Sequence, residues 1–478
     1  MSEAPFARRV ARSFLVAGAG NLFAKGLQAV GLFIVLDVIT PAQLGTASLV
    51  IAIFGMLQAV TELGLGVALV QAKDPTRDQM DTLFWLGFAL SGAIYLAVFL
   101  AAPLVASFYD QPILTPLLRV QGLAIVLSSL FLIPRNLLVR DLAFGRIALI
   151  DNVALTAASA AMVAFAFAGL GPWAIIAGDA GQRVGQLLLT QVARPWWPRL
   201  RAFPDAVRGM VRFGLYATGS RLLYNLYTNA DYLVVGRIFG ADAVGIYTIA
   251  YRVVADPINA VASIINQVAY PAFARLQDDT ARMRRYYFTI VRANLAFIGP
   301  LVLVICVFID DGFVLVGYDQ WLPAVPLVRI LGVFGLVRAV SALTGQLLNA
   351  VGKARLNFVY SGLNALILPA GFVVGSAFGL EGVAWVWGIC YPVLVLFQFG
   401  YAARALGVSL LRYTLGTFAG YPAPLAAGVV ILATRYVLET TLSLPPGWVA
   451  GIGVPVGLLA GAAVALYTER ASLALIRS

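Results

Sequence analysis

Two stretches of the chain place polar side chains along one face of an otherwise apolar helix. In residues 210–245, Arg221, Asn225 and Thr228 have the spacing i, i+4, i+7, which puts them on the same side of a helix. Inserting a central arginine into hydrocarbon costs roughly 2.5–3.5 kcal/mol. We therefore expect this face to border a wet or charged space, where it can contact a polar substrate.

The same pattern occurs 200 positions earlier, in residues 13–45, where Gly45 aligns with Gly245. The polar face of this first copy consists of three residues, Asn21, Lys25 and Gln28. A second correspondence, at an offset of 210, relates Gly169 to Gly379. Two copies of one polar-faced membrane helix, each opening half of the protein, predict a transporter built from two similar lobes.

The composition identifies an integral membrane protein. Hydrophobic residues make up 61% of the 478 positions and charged residues only 12%, whereas a soluble protein has about one half and one quarter. The apolar runs are continuous and about 20 residues long, which predicts helices and not the short alternating strands of a β-barrel. Most of the net charge of +11 lies in short loops, so it indicates cytoplasmic loops and not nucleic-acid binding.

Several chemistries are excluded or disfavoured. Histidine is absent, which excludes a histidine proton relay and a histidine metal site. Cys306 and Cys390 lie in apolar runs without metal-ligand spacing, so we expect them to fill space between helices. We expect neither a metal nor a cofactor. The first apolar run is too long for a signal peptide, and we interpret it as a retained first helix.

We predict an all-α integral membrane fold with fourteen transmembrane helices. Basic and non-basic loops alternate along the chain, which supports this count and places both termini in the cytoplasm. The predicted spans are 12–37, 44–70, 81–106, 115–138, 145–168, 172–193, 210–236, 244–271, 287–309, 323–350, 355–379, 381–403, 411–435 and 447–468.

The repeat relates the first six spans to the next six. Six spans return the chain to its starting side, so the copies have the same orientation and a pseudo-two-fold axis along the membrane normal. We predict an N-lobe, a cytoplasmic interfacial linker, a C-lobe and two extra C-terminal helices, at residues 1–193, 194–209, 210–405 and 406–478. The linker is basic and has two adjacent tryptophans, which suits a segment lying in the headgroup layer. In the last helix, three glycines have the spacing of close helix packing, Gly453, Gly457 and Gly461.

Some charged residues in the spans have a structural explanation that competes with a functional one. Asp179 with Arg183, and Arg252 with Asp256, are four residues apart. Either pair can be a local ion pair that makes membrane insertion tolerable. Arg119 and its repeat counterpart can extend their guanidinium groups toward the outer surface.

Other charged residues favour a functional role. Lys25, Arg221 and Arg338 lie deep in their spans without a nearby opposite charge on the same helix. Deep cations suit an anionic substrate, because arginine binds phosphate oxygens through two parallel hydrogen bonds and lysine acts as a point charge. Three acidic residues are candidates for binding a coupling proton or Na⁺, namely Glu62, Asp231 and Asp256.

Two segments resemble the Wzx-type polysaccharide flippases of bacteria, which export O-antigen, capsule and exopolysaccharide units. The start of the chain, from Ser13, resembles their first hairpin and contains a Pro-x-x-x-Gly turn from Pro41 to Gly45. Residues 321–358 resemble their tenth helix and the following loop, with an Asn-Ala-Val-Gly-Lys run at 349–353. The same superfamily contains lipid II flippases and multidrug extruders.

The resemblance implies two six-helix bundles around a central cavity, in the bacterial inner membrane. It implies flipping of undecaprenyl-pyrophosphate-linked oligosaccharide from the cytoplasmic to the periplasmic leaflet by alternating access. A polysaccharide polymerase and a chain-length regulator are candidate partners. The cations assigned to the pyrophosphate are Lys25, Arg221, Arg252 and Arg338. The side chains assigned to the sugars are Asn21, Gln28, Asn225, Thr228, Asn229 and Tyr232. Lys25 and Arg221 are one turn apart in the alignment, so we expect the charges to be staggered in depth.

Three alternatives stay open. A cation-coupled multidrug extruder of the same fold would prefer an acidic and aromatic cavity, which the excess of deep arginine over aspartate disfavours. A membrane polysaccharide polymerase or ligase usually has a long outer loop with catalytic arginine or histidine, and no outer loop here is much longer than about a dozen residues. A structural scaffold would not need duplicated polar faces. We therefore expect a transporter and not an enzyme.

Overall fold

A computed structural model describes residues 26–28, 30–61, 66, 69–70, 72, 74–201, 203–277, 279–419 and 421–468. The regular structure in this part of the chain is helical, as predicted. The α-helices are α1 Gly26–Val38, α2 Pro41–Thr61, α3 Arg77–Phe108, α4 Leu114–Leu130, α5 Leu132–Arg140, α6 Phe144–Phe167, α7 Pro172–Ala193, α8 Pro204–Arg275, α9 Thr280–Leu315, α10 Val325–Ala350, α11 Ala354–Ser376, α12 Gly379–Ala405, α13 Leu410–Phe418, α14 Pro422–Tyr436 and α15 Pro446–Thr468. A 3₁₀ turn, Asp319–Ala324, precedes α10, and a π-helical turn, Val437–Thr441, follows α14.

Helices α2 and α3 begin with the same capping arrangement. Thr40 Oγ1 accepts a hydrogen bond from Gln43 N at 3.3 Å, and Gln43 Oε1 accepts one from Thr40 N at 3.2 Å. Thr76 and Gln79 make the corresponding bonds at 3.3 and 3.0 Å. This reciprocal capping satisfies N–H groups that a helix leaves without partners at its start.

Each of the fourteen predicted spans coincides at least in part with helix in the described part of the chain, the first of them from residue 26 onward. Ten described helices are long and apolar enough to cross a membrane, or eleven when α4 and α5, which meet at a bend of 43°, count as one span. Helix α7 is not among the ten, because charged and amide side chains interrupt it. The predicted spans 210–236 and 244–271 form two arms of α8, residues 204–239 and 241–275, separated by a break at Gly240 (φ 83°, ψ −175°).

The predicted repeat is visible in the backbone between helices. Gly169, between α6 and α7, has φ 75°, and its counterpart Gly379, at the start of α12, has φ 80°. Both values lie in the left-handed region that glycine adopts without a steric penalty. The two halves of the chain therefore turn in the same way at corresponding positions.

A reciprocal contact joins the start of α2 to the start of the second arm of α8. A Cβ added to Gly45 would overlap the carbonyl oxygen of Ala241 and lie 2.7 Å from Gly245 N. A Cβ added to Gly245 would overlap the carbonyl oxygen of Pro41 and lie 2.7 Å from its carbon. Residues 41 and 45 are the repeat counterparts of residues 241 and 245, so the aligned glycines lie against each other. Glycine is required at both positions because the two backbones approach so closely.

The contacts of the chain divide it into two compact units, Met1–Gly245 and Ile246–Ser478. In the first unit, α3 packs against α4, and α6 packs against α7. A core cluster of this unit consists of Leu69, Leu83, Phe84, Ile133, Trp196 and Val207. In the second unit, α9 packs against α10, α14 and α15, and α12 packs against α10 and α11.

The last helix, α15, approaches α9 through the glycines that were predicted to favour packing. A Cβ added to Gly457 would lie 2.8 Å from Val304, and one added to Gly453 would overlap the ring of Phe308. Gly461 lies in the same way against Pro300. The prediction of close packing at this spacing is confirmed.

The division at Gly245 differs from the predicted lobe boundary at residues 194–209. The first arm of α8 packs along α2, and a Cβ added to Gly55 would lie 3.6 Å from the side chain of Asn229. The two units are defined by which segments pack together, so this arm belongs to the first unit. The sequence repeat, in contrast, assigns the arm to the same copy as the helices that follow it. The predicted boundaries of the lobes stay a prediction.

Candidate functional site

The polar side chains on the first arm of α8 donate hydrogen bonds to backbone carbonyl groups of the same helix. Asn225 Nδ2 donates to Arg221 O at 2.9 Å, and Asn229 Nδ2 donates to Asn225 O at 2.8 Å. Thr228 Oγ1 donates to Tyr224 O at 2.8 Å. Such local bonds make polar side chains tolerable in an apolar helix, and they leave the amide oxygens as acceptors. Because the Arg221 side chain is exposed, the face presents a cation followed by amide oxygens.

This arm is held by the end of α3 as well as by α2. Tyr109 Oη donates to Leu233 O at 3.4 Å, and Arg237 lies 3.8 Å from the carboxylate of Asp110. A Cβ added to Gly236 would lie 3.2 Å from the Tyr109 ring, so the backbone of α8 lies close to that side chain. Burial raises the pKa of Tyr109 to about 12 against a smaller opposing effect of Arg237, so its hydroxyl stays a neutral donor at physiological pH.

Two predicted site residues at the end of this face are less accessible. Asp231 is fully buried, and its Oδ1 accepts a hydrogen bond from Tyr232 N at 2.9 Å. The Tyr232 side chain is half-buried. The roles predicted for these residues, ion coupling for Asp231 and sugar binding for Tyr232, stay predictions.

The counterpart face in the first copy of the repeat is described only in part. Gln28 lies on α1, and its side chain is exposed. Asn21, Lys25 and Glu62 lie outside the described residues. The predicted stagger between Lys25 and Arg221 therefore lies outside them as well.

In the second unit, Arg338 lies between two aromatic rings. Its Nη1 donates to Tyr251 Oη, and the guanidinium carbon lies 5.7 Å from the Tyr251 ring centre and 5.9 Å from that of Phe334. These side chains, together with Ile258 and Asn259, line a small cavity between α8 and α10. The planar guanidinium thus lies within cation–π distance of both aromatic rings.

The second arm of α8 also contains Arg252 and Asp256, which lie four residues apart. The Arg252 side chain is half-buried and that of Asp256 is exposed. In the part of the chain that the structure describes, no ion pair joins these two side chains, and none joins Arg252 to any other carboxylate. The local ion pair that the spacing allowed is therefore absent here.

A polar cavity within the first unit contains two residues that the sequence analysis named, Asp179 and Arg183, and further polar residues that it did not name. Asp179 and Arg183 do not pair with each other among the described residues. Gln121 Nε2 donates to Asp179 Oδ2 at 2.6 Å, and Arg183 Nη2 donates to Gln58 Oε1 at 3.4 Å. The cavity that they line, which Ser128 also borders, has room for about one water molecule. Gln121 is an amide within the predicted span 115–138, and a polar side chain inside a largely apolar run was the signal for it.

Arg119 and Arg329, which are counterparts in the repeat, bind carbonyl groups of the preceding long helix. Arg119 Nε donates to Phe99 O of α3 at 3.3 Å. Arg329 Nε donates to Cys306 O of α9 at 3.2 Å. Both arginines thus have a structural role within their own units, and the repeat preserves it.

The sequence-predicted residues thus fall into two described groups. The first unit holds the face that begins at Arg221, and the second unit holds Arg252, Asp256 and Arg338. Within the second unit, Tyr251 accepts a hydrogen bond from Arg338. Chemically, both groups can bind an anion and hydrogen-bond neutral polar groups.

The chain is similar to several known proteins. Residues 36–326 match a family model described as polysaccharide biosynthesis protein. Teichuronic acid biosynthesis protein TuaB of Bacillus subtilis (strain 168) is 28% identical over 381 residues, which are 78% of each chain. Lipopolysaccharide biosynthesis protein WzxC of Escherichia coli (strain K12) is 28% identical over 422 residues, 87% of this chain and 86% of that protein.

A solved structure shows the same fold. Lipid II flippase MurJ in an inward closed conformation matches with a TM-score of 0.72 at 12% identity, over 96% of this chain and 100% of that chain. At this identity the match is informative about the fold, and it agrees with the predicted all-α membrane architecture. Because the family model spans more than half of the sequence, this multi-pass membrane protein belongs to the family of polysaccharide biosynthesis proteins.

Proposed function

We propose that this protein is a flippase that moves undecaprenyl-pyrophosphate-linked oligosaccharide repeat units from the cytoplasmic to the periplasmic leaflet. The movement follows alternating access, in which the substrate site is open to one side of the membrane at a time. No covalent bond changes in this cycle, so the protein acts as a transporter and not as an enzyme. Family membership and the relatives' names in lipopolysaccharide and teichuronic acid biosynthesis support this proposal.

The observation that carries the proposal is an uncompensated cation in a membrane-spanning helix. Arg252 is half-buried in α8 and pairs with no carboxylate in the described part of the chain. A charge in this position costs several kcal/mol unless a counter-ion offsets it. A pyrophosphate is a suitable counter-ion, because it presents several oxygens that accept charge-assisted hydrogen bonds from guanidinium.

The proposed roles follow from the chemistry of the side chains. Lys25, Arg221, Arg252 and Arg338 bind the pyrophosphate. The amide and hydroxyl groups bind the sugars, and they belong to Asn21, Gln28, Asn225, Thr228, Asn229 and Tyr232. A proton or Na⁺ couples to transport at one of the acidic residues Glu62, Asp231 and Asp256. We further propose an inner-membrane location with both termini in the cytoplasm, and a polysaccharide polymerase and a chain-length regulator as partners.

The proposal is tested by reconstituting the purified protein in proteoliposomes with a fluorescent undecaprenyl-pyrophosphate oligosaccharide. The fraction of substrate accessible from outside is followed by chemical reduction of the fluorophore. We expect flipping well above the rate in protein-free vesicles. Flipping at the protein-free rate would overturn the proposal, and uptake of cationic dyes in its place would support the multidrug alternative.

Substitutions at Arg252 test the site in the same assay. Losing a charge-assisted hydrogen bond costs about 1.5–3 kcal/mol, so Arg252→Gln is expected to slow flipping by roughly ten- to a hundredfold. Arg252→Lys keeps the charge and is expected to retain more activity. The control is Arg282→Gln, since Arg282 is exposed at the start of α9 and pairs with Asp279. Equal activity of Arg252→Gln and the control would remove Arg252 from the site.

A further inference from the structure

The described residues of the linker between α7 and α8 form no helix, and the start of α3 holds their backbone. Trp85 Nε1 donates to Arg199 O at 2.8 Å. Phe203 N donates to Thr82 Oγ1 at 2.9 Å. Since these bonds use backbone groups of the linker, they fix its path while leaving its side chains free to point elsewhere.

Arg77 adds a third attachment between α3 and the linker. Its guanidinium donates to Trp197 O and lies 4.5 Å from the ring centre of Trp196. Asp81, whose side chain is fully buried, lies 3.3 Å from Arg77 Nε and holds this guanidinium in place. Trp196 is buried in the core cluster of the first unit. The linker is therefore a rigid part of that unit.

The fixed backbone presents a surface that is both apolar and basic. The side chain of Trp197 is 70% exposed and that of Leu200 is 89% exposed, and Phe203 is exposed beside them. Arg199 and Arg201 are exposed on the same segment, and among the described residues neither pairs with a carboxylate. We call Trp197, Arg199, Leu200, Arg201 and Phe203 the linker surface.

We propose that the linker surface is a binding site for anionic phospholipids of the surrounding leaflet. Trp197, Leu200 and Phe203 insert at the boundary between headgroups and acyl chains, where tryptophan is favoured. Arg199 and Arg201 bind the phosphate groups of anionic lipids. Because the segment joins the predicted spans 172–193 and 210–236, we expect it at a membrane surface, and its charge is complementary to an anionic leaflet.

A soluble partner protein is less compatible with these residues. A partner protein would have to bury the nearly fully exposed Leu200 together with Arg199 and Arg201. A leaflet offers both environments within a few ångströms, apolar chains below and phosphate groups above. Because the linker is attached to α3, lipids bound at the linker surface would then influence how the first unit sits in the membrane.

The proposal is tested with a fluorophore on Leu200→Cys in a chain whose native cysteines carry Cys306→Ala and Cys390→Ala. The labelled protein is placed in nanodiscs containing phosphatidylglycerol or phosphatidylcholine that carries a spin label near the headgroup. We expect stronger quenching by the labelled phosphatidylglycerol at equal mole fraction, with a preference of roughly fivefold for each arginine. The preference should fall at high salt concentration.

The matched variants are Arg199→Gln/Arg201→Gln and Arg284→Gln/Arg285→Gln. The second pair is also exposed, but it lies at the start of α9. We expect the preference to disappear in the first variant and to persist in the second. Three results would overturn the proposal: equal quenching by both lipids, loss of preference in both variants, or quenching only by a water-soluble agent. All of these results are independent of flipping activity.

Discussion

At the scale of single residues, Arg119 compensates for a proline in the neighbouring helix. Pro103 has no N–H group, so the carbonyl of Phe99, four residues earlier in α3, has no intrahelical partner. Arg119 Nε donates to this carbonyl at 3.3 Å, and its guanidinium lies 4.1 Å from the centre of the Phe99 ring. We expect Arg119→Gln to lower the free energy of unfolding by about 1–2 kcal/mol.

A double-mutant cycle separates this bond from general packing. In the Pro103→Ala background, α3 can satisfy Phe99 O itself, so Arg119→Gln should cost less than half as much. Unfolding of the purified variants in detergent, followed by circular dichroism, gives the free energies. The exposed Arg146 provides a control, and Arg146→Gln should change stability by less than about 0.5 kcal/mol. Additive effects of Pro103→Ala and Arg119→Gln would contradict this account.

Arg435 makes a second prediction at this scale. It lies 3.2 Å from the carboxylates of both Asp310 and Asp311 in α9, and 2.6 Å from Glu439. Among the described residues, Arg435→Gln would leave these three carboxylates with Arg329 as the cation in an ion pair with them. We expect a loss of about 2 kcal/mol in the free energy of unfolding, since the cluster is only partly shielded from solvent.

The control for Arg435→Gln is a second variant, Arg435→Lys, measured in the same unfolding assay. Arg435→Lys keeps the charge but cannot reach three carboxylates through a planar fork, so it should recover only part of the loss. A fully stable Arg435→Gln variant would show that the cluster does not hold α14 to α9.

The charged residues show how far the sequence predicts a site. The spacing of Asp179 and Arg183 allowed a local ion pair, yet each binds a glutamine on another helix. Spacing along a helix predicts which side chains are near each other, but partners from neighbouring helices compete for them, and those partners are set by tertiary packing. The deep position of Arg338 was predictable, whereas its two aromatic neighbours were not.

At the scale of helices, Gly45 and Gly245 have the shortest Cβ clearances among the described glycines of the first unit. A methyl group at either position overlaps a carbonyl oxygen of the other helix. We expect Gly45→Ala and Gly245→Ala each to lower thermal stability and to reduce flipping, because the helices can accommodate the methyl group only by moving apart. Both properties are measurable on the same purified variants.

Gly92→Ala is the matched control for the glycine variants. Gly92 lies in α3, and a Cβ there meets no atom within 4 Å. Alanine in the interior of a helix is favoured over glycine by roughly 0.5–1 kcal/mol, so this variant should be as stable as the parent or more stable. Wild-type stability of Gly45→Ala and Gly245→Ala would contradict the contact.

Helices were the most predictable level of this molecule. Continuous apolar runs predicted the spans, and the glycines of α15 predicted that this helix packs closely, because each signal is local in the sequence. Two predicted spans follow each other on either side of the break at Gly240, with no loop between them. The sequence contains no turn motif there beyond the glycine itself. The resemblance to polysaccharide flippases is confirmed at the level of the family.

At the scale of the whole molecule, the number of crossings determines which loops share a side of the membrane. Five crossings separate Leu200 from Phe378, so we expect these residues on opposite sides. They are the predicted spans 210–236, 244–271, 287–309 and 323–350, and helix α11, which ends at Ser376 before Phe378. Both side chains are strongly exposed, at 89% and 78%, so cysteine at either position should react readily.

The test uses Leu200→Cys and Phe378→Cys in a chain without its two native cysteines, labelled in spheroplasts with a membrane-impermeant maleimide. The positive-inside pattern predicts a cytoplasmic position for the arginine-rich linker. Cysteine at 378 should therefore react in intact spheroplasts, and cysteine at 200 only after permeabilisation. Labelling of both from one side would mean an even number of crossings. The assignment of the two arms of α8 as separate crossings would then be in question first, since the arms meet at Gly240 without a loop. The prediction that the two copies of the repeat have the same orientation would be wrong as well.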